Sequence, residues 1–458
     1  MIFIHIYIER EKQRERERER EREMAAIVPI FSKFMQGVVL GKTKRNVKEK
    51  KRAAAGGGEV VVFGSINLDV VMPAPKLPNT GETVLATTYS LVAGGKGANQ
   101  ALAAKRAGET SGVNVKMIGA TGNDAFATIA IANLKSAGVN LSSVAKMKDE
   151  RTGCAAVLVD ESSGDNQIVV GAAANLKLCA KNELAKALCA NSTKKEGMLV
   201  MQMEAPTIEV AAAIVAASEA DVPTLLNVAP SESCPDTKTL MLVSILVVNE
   251  HEALAVANER LANGSKFTDA KRAALALALG LDTVVVVTLG AQGAEAFFPA
   301  KSGTTLYTER LAQKKGIDAA NAGEFTPEEA EKDKLDWFLS IHVDALTFAE
   351  GEAVVDTVGA GDAFVGALAA GLVSGNDLGT SMARATCAGG ITCMKSGAQD
   401  ALPNAAAIDA RVEGIAVTIS EWPLNDDTAA AESCTLETRA SVFPIAKFEK
   451  SSSSPDAA

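Results

Sequence analysis

A glycine-rich turn followed by small residues is the strongest chemical signal in this sequence. It reads Asp-Thr-Val-Gly-Ala-Gly-Asp from Asp356 to Asp362, and a helix is predicted over Val365–Leu372. Glycines permit a tight turn with exposed backbone N–H groups, and the positive end of the helix points to the same spot. Such a turn suits a phosphoryl group in transfer, with Asp362 taking a proton from an attacking hydroxyl. It equally fits an Asp N-cap, so alone it leaves the function open.

Two earlier segments could hold a polyhydroxylated ligand. Asn67 and Asp69 are two residues apart, so on an extended segment they face the same side, and a carboxylate can accept from two adjacent hydroxyls. The second segment, Ala93–Asn99, is glycine-rich and enters a predicted helix, which would bring Lys96 and the backbone close to a ligand. Each segment also fits an ordinary turn or helix entry.

Three further polar groups follow apolar runs. Asn249 and Glu252 come after Ile245–Val248, where a carboxylate suits Mg²⁺ bound through water and phosphate, although Asn249 could simply cap the next helix. Thr288–Gly293 is a glycine turn between two predicted strands, and Glu204 follows another strand. All these groups fall at predicted strand ends, where doubly wound sheets bind ligands.

The elements that must position these groups alternate along the chain. Short apolar runs predict buried parallel strands, and amphipathic stretches between them predict helices on both faces of a doubly wound α/β sheet. The predicted strands are Val60–Phe63, Val115–Ile118, Met198–Met201, Thr224–Val228, Ile245–Val248 and Val284–Thr288. The predicted helices are Gly97–Ala107, Phe126–Ala137, Ile208–Ala217, Glu250–Ala262 and Asp269–Leu279.

Two places lack intervening helices and predict a small separate β-sheet lid. The pairs are Asp69–Met72 with Thr83–Val92 and Cys154–Val159 with Gln167–Val170, which place the lid strands near 69–92 and 152–171. Turn residues connect the strands of each pair. The lid would therefore follow directly from the segment that holds Asn67 and Asp69.

The pattern predicts one α/β domain over residues 59–403 with extensions at both ends. Residues 1–58 begin with an Arg-Glu alternation and continue as a basic segment in which Glu49 is the single acid, as is typical of a transit peptide. A plastid location is therefore expected, with a disordered tail on a cytoplasmic protein as the alternative. Residues 302–354 look like an unusual insertion, and residues 404–458 like a partly disordered extension.

Composition excludes several classes of protein. The net charge of −10 disfavours non-specific nucleic-acid binding, which needs a basic face. The sequence has no run of eighteen apolar residues that would span a membrane. Seven scattered cysteines without a CxxC pair indicate reduced thiols, and three histidines are too few for a His-rich metal cluster.

Taken together, these motifs resemble the ribokinase branch of the ribokinase/PfkB family of carbohydrate kinases. The resemblance runs from about Val60 to Pro403, and Gly64–Asp69 with Gly94–Gln100 is typical of that branch. It implies ATP-dependent phosphorylation of D-ribose at O5, with Mg²⁺ and an activating K⁺, in a homodimer joined through the lid. The alternatives are a kinase for another pentose or a nucleoside, and a catalytically impaired sugar-binding homologue.

The resemblance also implies roles for individual residues. Asp362 would be the base, beside an anion hole of Gly359, Ala360 and Gly361. Ribose would be held by Asn67, Leu68, Asp69, Gly95, Lys96, Gly97, Ala98, Asn99, Glu204 and Asp362. ATP would be held by Asn249, Thr288, Leu289, Gly290, Ala291, Gln292, Gly293, Gly361, Asp362 and Thr386. The monovalent cation would be held by Asp356, Val358, Thr392, Lys395, Gly397 and Ala401, and Glu252 would place Mg²⁺ through water.

The sequence departs from the family pattern at a few positions. Ala173 stands where glycine is usual before Asn175, and Thr386 stands where His or Asn is usual at the adenine wall. The connection between Thr288 and Asp356 is longer than in the family. Its extra segment is expected near the adenine site, where it would affect ATP binding.

Overall fold

The computed structural model of the protein describes residues 57–163, 165–180, 197–261, 266–298 and 337–423. The strands are β1 (Glu59–Phe63), β2 (Asn67–Ala74), β3 (Ser90–Gly94), β4 (Asn114–Gly122), β5 (Asn140–Met147), β6 (Gly153–Asp160), β7 (Asn166–Gly171), β8 (Gly197–Gln202), β9 (Thr224–Asn227), β10 (Ile245–Asn249), β11 (Val284–Thr288), β12 (Ala294–Phe297), β13 (Trp337–Val343) and β14 (Val417–Pro423). The helices are α1 (Lys96–Ala107), α2 (Ala125–Ala130), α3 (Ala132–Ser136), α4 (Thr207–Glu219), α5 (Thr237–Leu240), α6 (Glu250–Arg260), α7 (Ala270–Leu281), α8 (Ala360–Val373), α9 (Leu378–Cys393) and α10 (Ala405–Asp409).

The main sheet has ten strands in the order β14-β13-β12-β11-β10-β9-β8-β1-β4-β5. Along this spatial order, every pairing between β5 and β11 is parallel. Strand β12 pairs antiparallel with β11, and β13 and β14 continue the antiparallel pairing. The parallel strands therefore end at one common edge, termed here the carboxyl edge. This architecture confirms the predicted doubly wound, mainly parallel sheet between helices.

Both faces of the sheet are buried, as its continuous apolar strands require. In β1, Val60 and Val62 pack into the core beneath α1, α8 and α9, whereas Val61 and Phe63 pack into the core beneath α4, α6 and α7. The predicted helix Phe126–Ala137 is divided at Ile131 into α2 and α3. Among the described helices, none combines the length and the apolar composition that crossing a bilayer would require.

The second sheet is the predicted lid. Its four strands lie in the order β3-β2-β6-β7, with β2 and β6 parallel and the outer pairs antiparallel. The second strand of the first predicted pair is shorter than expected. The sequence predicts a strand over Thr83–Val92, whereas the strand in the structure, β3, covers only Ser90–Gly94. Since β2 begins at Asn67 and β3 runs into α1, the lid and the main sheet share the segments that carry the predicted ribose-binding residues.

The antiparallel side of the main sheet shows where the extra segment is attached. Ala294 pairs with Thr288 and with Val343 at the carboxyl edge, whereas Phe297 pairs with Val285 and Ser340 toward the opposite edge. The connection between β12 and β13 is therefore attached at the edge opposite to the strand ends that carry the predicted site. Its residues 299–336 lie outside the described part of the chain.

The sheet also continues beyond the predicted domain boundary at residue 403. Strand β14 pairs over its whole length with β13, which itself lies inside the segment 302–354 that has no clear pattern in the sequence. Ile341 and Ile415 belong to the core on the α9 side. The end of the described chain is thus part of the main sheet. The predicted N-terminal Arg-Glu and basic segments, up to residue 56, and the tail after residue 423 lie outside the described residues.

Candidate active site

Asp362 lies in the first turn of α8, and glycine at its N-cap makes that turn possible. Gly359 has φ 80° and ψ −6°, the left-handed conformation that glycine adopts without steric cost. The Asp362 side chain is only 7% exposed. Its Oδ2 accepts a hydrogen bond from Asn99 Nδ2 and its Oδ1 accepts one from Gln100 Nε2, each at 2.9 Å. Helix α1 therefore orients the carboxylate that α8 supplies.

Opposing effects act on the charge of Asp362. Burial raises the pKa of the carboxyl, while Lys96 and the amide donors of Asn99 and Gln100 act in the opposite direction, and the negative charge of Glu204 adds to the rise. The pKa lies above the ordinary value of an aspartate. A base needs enough proton affinity to take a hydroxyl proton and must still be ionised at working pH. Burial and Glu204 increase the proton affinity of Asp362, whereas Lys96 and the two amide donors favour its ionised form.

The predicted anion turn presents fewer free donors than its sequence suggests. The Ala360 N–H is directed to the carbonyl of Thr357 at 3.2 Å. The N–H groups of Gly361 and Asp362 also belong to the first helical turn, where backbone donors have no intrahelical acceptor. The role of the Gly361 N–H as a donor toward an anion stays a prediction, whereas the Ala360 N–H is used within the turn.

Two further carboxylates, those of Glu204 and Asp69, lie near the place where the starts of β2 and α1 meet. Glu204 Oε2 accepts from Ser65 Oγ at 2.7 Å and from the Lys96 backbone N–H at 3.0 Å. Asp69 lies nearby on β2, and its Oδ1 is buried without a hydrogen-bond partner among the described residues. Burial and the neighbouring Glu204 raise the pKa of Asp69 to about 6, against the opposing effect of Lys96. A buried acceptor without a partner is costly unless a ligand supplies the donor.

The Lys96 ammonium connects the predicted sites electrostatically. Burial alone would lower the pKa of Lys96, but attraction to four carboxylates raises it above its ordinary value. In order of decreasing effect these are Asp362, Glu204, Glu252 and Asp69. The Lys96 Nζ is 3.9 Å from Glu204 Oε1. The Lys96 ammonium therefore faces the predicted base, the two carboxylates predicted to bind ribose, and the carboxylate predicted to place Mg²⁺.

Asn67 is held by a residue whose role the motifs do not reveal. Asn175 Nδ2 donates to Asn67 Oδ1 at 2.8 Å, and Asn175 Oδ1 accepts from the Ile66 backbone N–H at 3.0 Å. Asn175 follows Ala173, which has φ 44°. The left-handed conformation explains why glycine is the usual residue at position 173, because a Cβ is disfavoured there. Leu68 lies fully in the core, so only its backbone faces the site.

The predicted nucleotide segments adjoin each other at the carboxyl edge. Asn249 pairs in register with Thr288, the last residues of β10 and β11. Asn249 also caps α6 in a capping box, in which its Oδ1 accepts from the Glu252 N–H and Glu252 Oε2 accepts from the Asn249 N–H, both at 2.8 Å. Asn249 therefore has the structural role of a helix cap, and its role in holding ATP stays a prediction. Burial raises the pKa of Glu252.

The remaining nucleotide predictions fall on a turn and a helix. Gly290–Gln292 is a single 3₁₀ turn, and Leu289 before it packs into the core. Thr386 is buried on α9, and its Oγ1 has no hydrogen-bond partner among the described residues. No described hydrogen bond joins Thr386 to the turn.

The predicted cation-binding segments come together beside the anion turn. Asp356 Oδ1 accepts from the Val358 N–H at 2.9 Å, and its Oδ2 accepts from the Gly397 N–H at 3.0 Å. The N–H groups of Val355 and Asp356 both donate to the carbonyl of Cys393. Ala401 is buried. The segments that contain Thr392, Lys395 and Gly397 therefore lie against the chain that leads into α8.

Comparison with known proteins agrees with this geometry. The sequence profile described as "pfkB family carbohydrate kinase" matches residues 58–323 and 340–405. A ribokinase of Mus musculus is 32% identical over 329 residues, which cover 72% of this chain and 84% of that protein. A ribokinase of Schizosaccharomyces pombe is 29% identical over 352 residues, which cover 76% of this chain and 96% of that protein.

A solved structure supports the fold. The structure of Arabidopsis thaliana ribokinase complexed with ribose and ATP is 24% identical, with a TM-score of 0.61 over 78% of this chain and 99% of that one. At that identity the likeness concerns the fold. The chain belongs to the pfkB family of carbohydrate kinases.

Proposed function

We propose that the protein is an ATP-dependent ribokinase, which converts D-ribose and ATP to D-ribose 5-phosphate and ADP. The observation that carries this proposal is the group of four carboxylates around Lys96 at the carboxyl edge, beneath the lid. It contains a candidate base, Asp362, and a candidate polyol acceptor, Asp69, in one site. The similarity to ribokinases over nearly their whole length supports ribose as the acceptor.

Ribose binds between the lid and α1 in this proposal. The free Oδ1 of Asp69 accepts from ribose hydroxyls, and Glu204, fixed by Ser65 and Lys96, presents its other oxygen. The Lys96 ammonium, the NH₂ group of Asn67 and the second N–H of the Asn99 amide donate to further hydroxyls. Polar groups on both sides of a sugar discriminate hydroxyl configuration strongly, because a missing partner leaves one of them unpaired.

Asp362 activates the acceptor. Its carboxylate takes the proton of the ribose 5-hydroxyl as O5 forms a bond to the γ-phosphorus of ATP. The bond from that phosphorus to the β,γ-bridging oxygen breaks, and ADP leaves. The Gly361 N–H and the positive end of α8 face the charge that develops on the transferred group. Lid closure excludes water and so limits ATP hydrolysis.

The nucleotide and its Mg²⁺ would occupy the side of Asn249 and the turn at 288–293. Within the described ranges, no three His, Cys, Asp or Glu side chains converge into a ready-made metal cage. A Mg²⁺ that arrives with the ATP phosphates and keeps several waters needs only a carboxylate such as Glu252 nearby. Mg²⁺ neutralises charge on the phosphates when it is bound.

A substrate panel tests the proposed activity. Release of ADP is measured with ribose, 2-deoxyribose, arabinose, fructose and adenosine at equal concentrations, and kcat/KM is compared. Ribose is expected to give the largest value. A preference for a nucleoside or another sugar would overturn the assignment to ribose, whereas ribose binding in calorimetry without any turnover would indicate an impaired homologue.

We also propose that K⁺ binds the carbonyl-rich site formed by the segments at 356–358 and 392–401. The Asp356 carboxylate accepts from the Gly397 N–H and the Asp356 N–H donates to the Cys393 carbonyl, so these segments are already joined and a cation would stabilise the chain just before the anion turn. Exchange of K⁺ for choline at constant ionic strength is expected to lower kcat. Equal activity in both salts would exclude the requirement.

Homodimerisation through the lid is proposed from its apolar surface. Leu91, Ile168, Val169 and Val170 are between 39% and 74% exposed on the lid strands. Large apolar side chains exposed on a sheet can mark an interface. Val169→Asp is expected to convert a dimer to a monomer in light scattering. A monomeric unmodified protein would contradict the proposal.

Plastid import is proposed from the basic, acid-poor segment before residue 59. Fusion of residues 24–58 to a fluorescent protein is expected to direct it to plastids in plant cells. A diffuse cytoplasmic signal would favour the alternative location.

A further inference from the structure

Three amide side chains, of which the inner two are buried, form a continuous hydrogen-bonded row that ends at the candidate base. Asn133 Nδ2 donates to Gln399 Oε1 at 3.1 Å, and Gln399 Nε2 donates to Asn99 Oδ1 at 3.1 Å. Asn99 Nδ2 then donates to Asp362 Oδ2 at 2.9 Å. Gln399 is 0% exposed and Asn99 is 6% exposed, so water does not compete for these bonds.

An ionised Asp362 determines the direction of the whole row. A carboxylate only accepts hydrogen bonds, so Asn99 must turn its NH₂ group toward Asp362 and its oxygen away. That oxygen needs a donor, which Gln399 supplies with its own NH₂ group. The oxygen of Gln399 in turn accepts from Asn133. If Gln399 did not donate, the favourable orientation of Asn99 would leave a buried acceptor unpaired.

The second donor to Asp362 is fixed independently of Gln399. Gln100 Nε2 donates to Asp362 Oδ1 and to Asn227 Oδ1, and Gln100 Oε1 accepts from Gln202 Nε2 at 2.7 Å. These partners lie at the ends of β8 and β9. A change at Gln399 is therefore expected to disturb one of the two hydrogen bonds to the base and to leave the other.

The position of Gln399 is itself well determined. Its backbone carbonyl accepts from Arg106 Nη1 at 2.7 Å, and the same nitrogen donates to the Leu402 carbonyl at 2.9 Å. Arg106 and Asn99 both belong to α1, so one helix holds the Gln399 backbone and receives its side chain. Such double attachment is typical of a group whose orientation matters.

We propose that Gln399 is a positioning residue for phosphoryl transfer, which keeps the NH₂ group of Asn99 directed at Asp362 and so holds the carboxylate in place as acceptor of the hydroxyl proton. This inference rests on the proposed function, in which Asp362 is the base. The charged groups that also face Asp362 are Lys96 and Glu204, and both remain in the variants described below.

The decisive readout is the pH dependence of turnover. Gln399→Met keeps the length of the side chain and removes the donor, and Gln399→Glu replaces the donor by an acceptor. Both are expected to move the acidic limb of kcat, measured at saturating ribose, upward by roughly one pH unit, because a carboxylate that loses a donor binds its proton more tightly. On that limb kcat is expected to lie about tenfold below that of the unmodified protein at the same pH, with recovery as the pH rises above the limb.

Two controls separate positioning from a general loss of structure. Asn133→Ala removes the outermost bond of the row and leaves Gln399 bonded to Asn99, so its acidic limb is expected to stay near that of the unmodified protein. Thermal melting is recorded for each variant. An unshifted limb in both Gln399 variants would overturn the proposal, and so would an equal shift in Asn133→Ala.

A measurement without turnover distinguishes this inference from the proposed function. Carbon-13 NMR of labelled aspartates, with Asp362→Asn to assign the resonance, reports the pKa of Asp362 directly. An upward shift in Gln399→Met supports the positioning role even if ribose is not the substrate. If Asp362→Asn keeps turnover, the base assignment fails. If that variant is inactive but the resonance is unshifted in Gln399→Met, only the role of Gln399 fails.

Discussion

Asp362 is a buried carboxylate and Asp69 a half-buried one; both face the same lysine, yet the protein surrounds them differently. Asp362 belongs to the body of the molecule, and amides of α1 occupy both of its oxygens. Asp69 belongs to the lid sheet, and its buried Oδ1 has no partner among the described residues. The first arrangement fits a group whose direction must be settled before the substrate binds. The second fits a group that receives its hydrogen bonds from the substrate.

The largest effect is expected at the carboxylate of the body. Asp362→Asn keeps the shape of the side chain but removes the proton acceptor, and it should lower kcat by about 10³-fold with a smaller change in KM for ribose. Steady-state kinetics check this, with Asp236→Asn, at an exposed helix cap remote from the site, as the control. Near-normal turnover would show that the base has been misassigned.

A smaller effect of a different kind is expected at the carboxylate of the lid. Asp69→Asn should lower kcat/KM for ribose by roughly 10²-fold, mainly through KM, because hydrogen bonds from ribose to a charged acceptor are lost. Calorimetry with ribose measures the loss of affinity directly. If this variant reduced kcat alone, the two carboxylates would not have separate roles.

The pH dependence should separate them further. Because burial raises the pKa of Asp69 to about 6, protonation below that pH removes an acceptor, and KM for ribose should rise about fivefold between pH 6 and pH 5. Asp69→Asn should abolish this dependence of KM. A KM that stays constant down to pH 5 in the unmodified protein would contradict the role of an ionised Asp69.

The attachment of the lid offers a test on stability. Ala173 has φ 44° just before Asn175, which holds Asn67 at the start of β2. Ala173→Gly should stabilise the protein by about 1 kcal/mol, because the left-handed conformation disfavours a Cβ. A rise of the melting temperature is expected, with little change in kcat. A lower melting temperature would indicate that the alanine methyl packs favourably.

The smallest effect is expected from the long connection between β12 and β13. Its ends lie at the edge of the sheet opposite to Asn249 and Thr288. Replacement of residues 299–336 by a short glycine-containing turn should therefore change KM for ATP by less than about threefold, since neighbouring antiparallel strands can be joined by a few residues. A large rise in KM would show that the segment reaches the nucleotide.

The sequence predicted the parallel part of the fold well and the antiparallel part poorly. Strands such as β1 and β11 are continuous valine-rich runs with one possible environment, buried on both faces. Strands β13 and β14 contain Ser, His, Thr and Glu among their apolar residues, and their pairing joins segments far apart in the chain. Local pattern alone does not determine such a pairing.

The candidate site divides in the same way. Residues in glycine-rich motifs, such as Asp362 and Lys96, were predicted because the motifs announce a turn at a strand end. Asn175, Gln100 and Gln399 were not, although their side chains orient Asn67, Asp362 and Asn99. A buried amide in a helix or loop has no sequence signature of its own, because its role depends on partners that folding brings together.

The contact between α1 and α8 has one more consequence. Gly366 lies one helical turn after Asp362, on the same face, and a Cβ at this glycine would come within 2.7 Å of the Gln100 carbonyl and 2.6 Å of the Ala104 nitrogen. The two helices thus touch through their backbones, and the lack of a side chain at position 366 sets the distance between the residue that accepts the proton, on α8, and the residues of α1 that orient it. A substitution at position 366 would therefore change the position of the base without replacing any residue that contacts the sugar or the nucleotide.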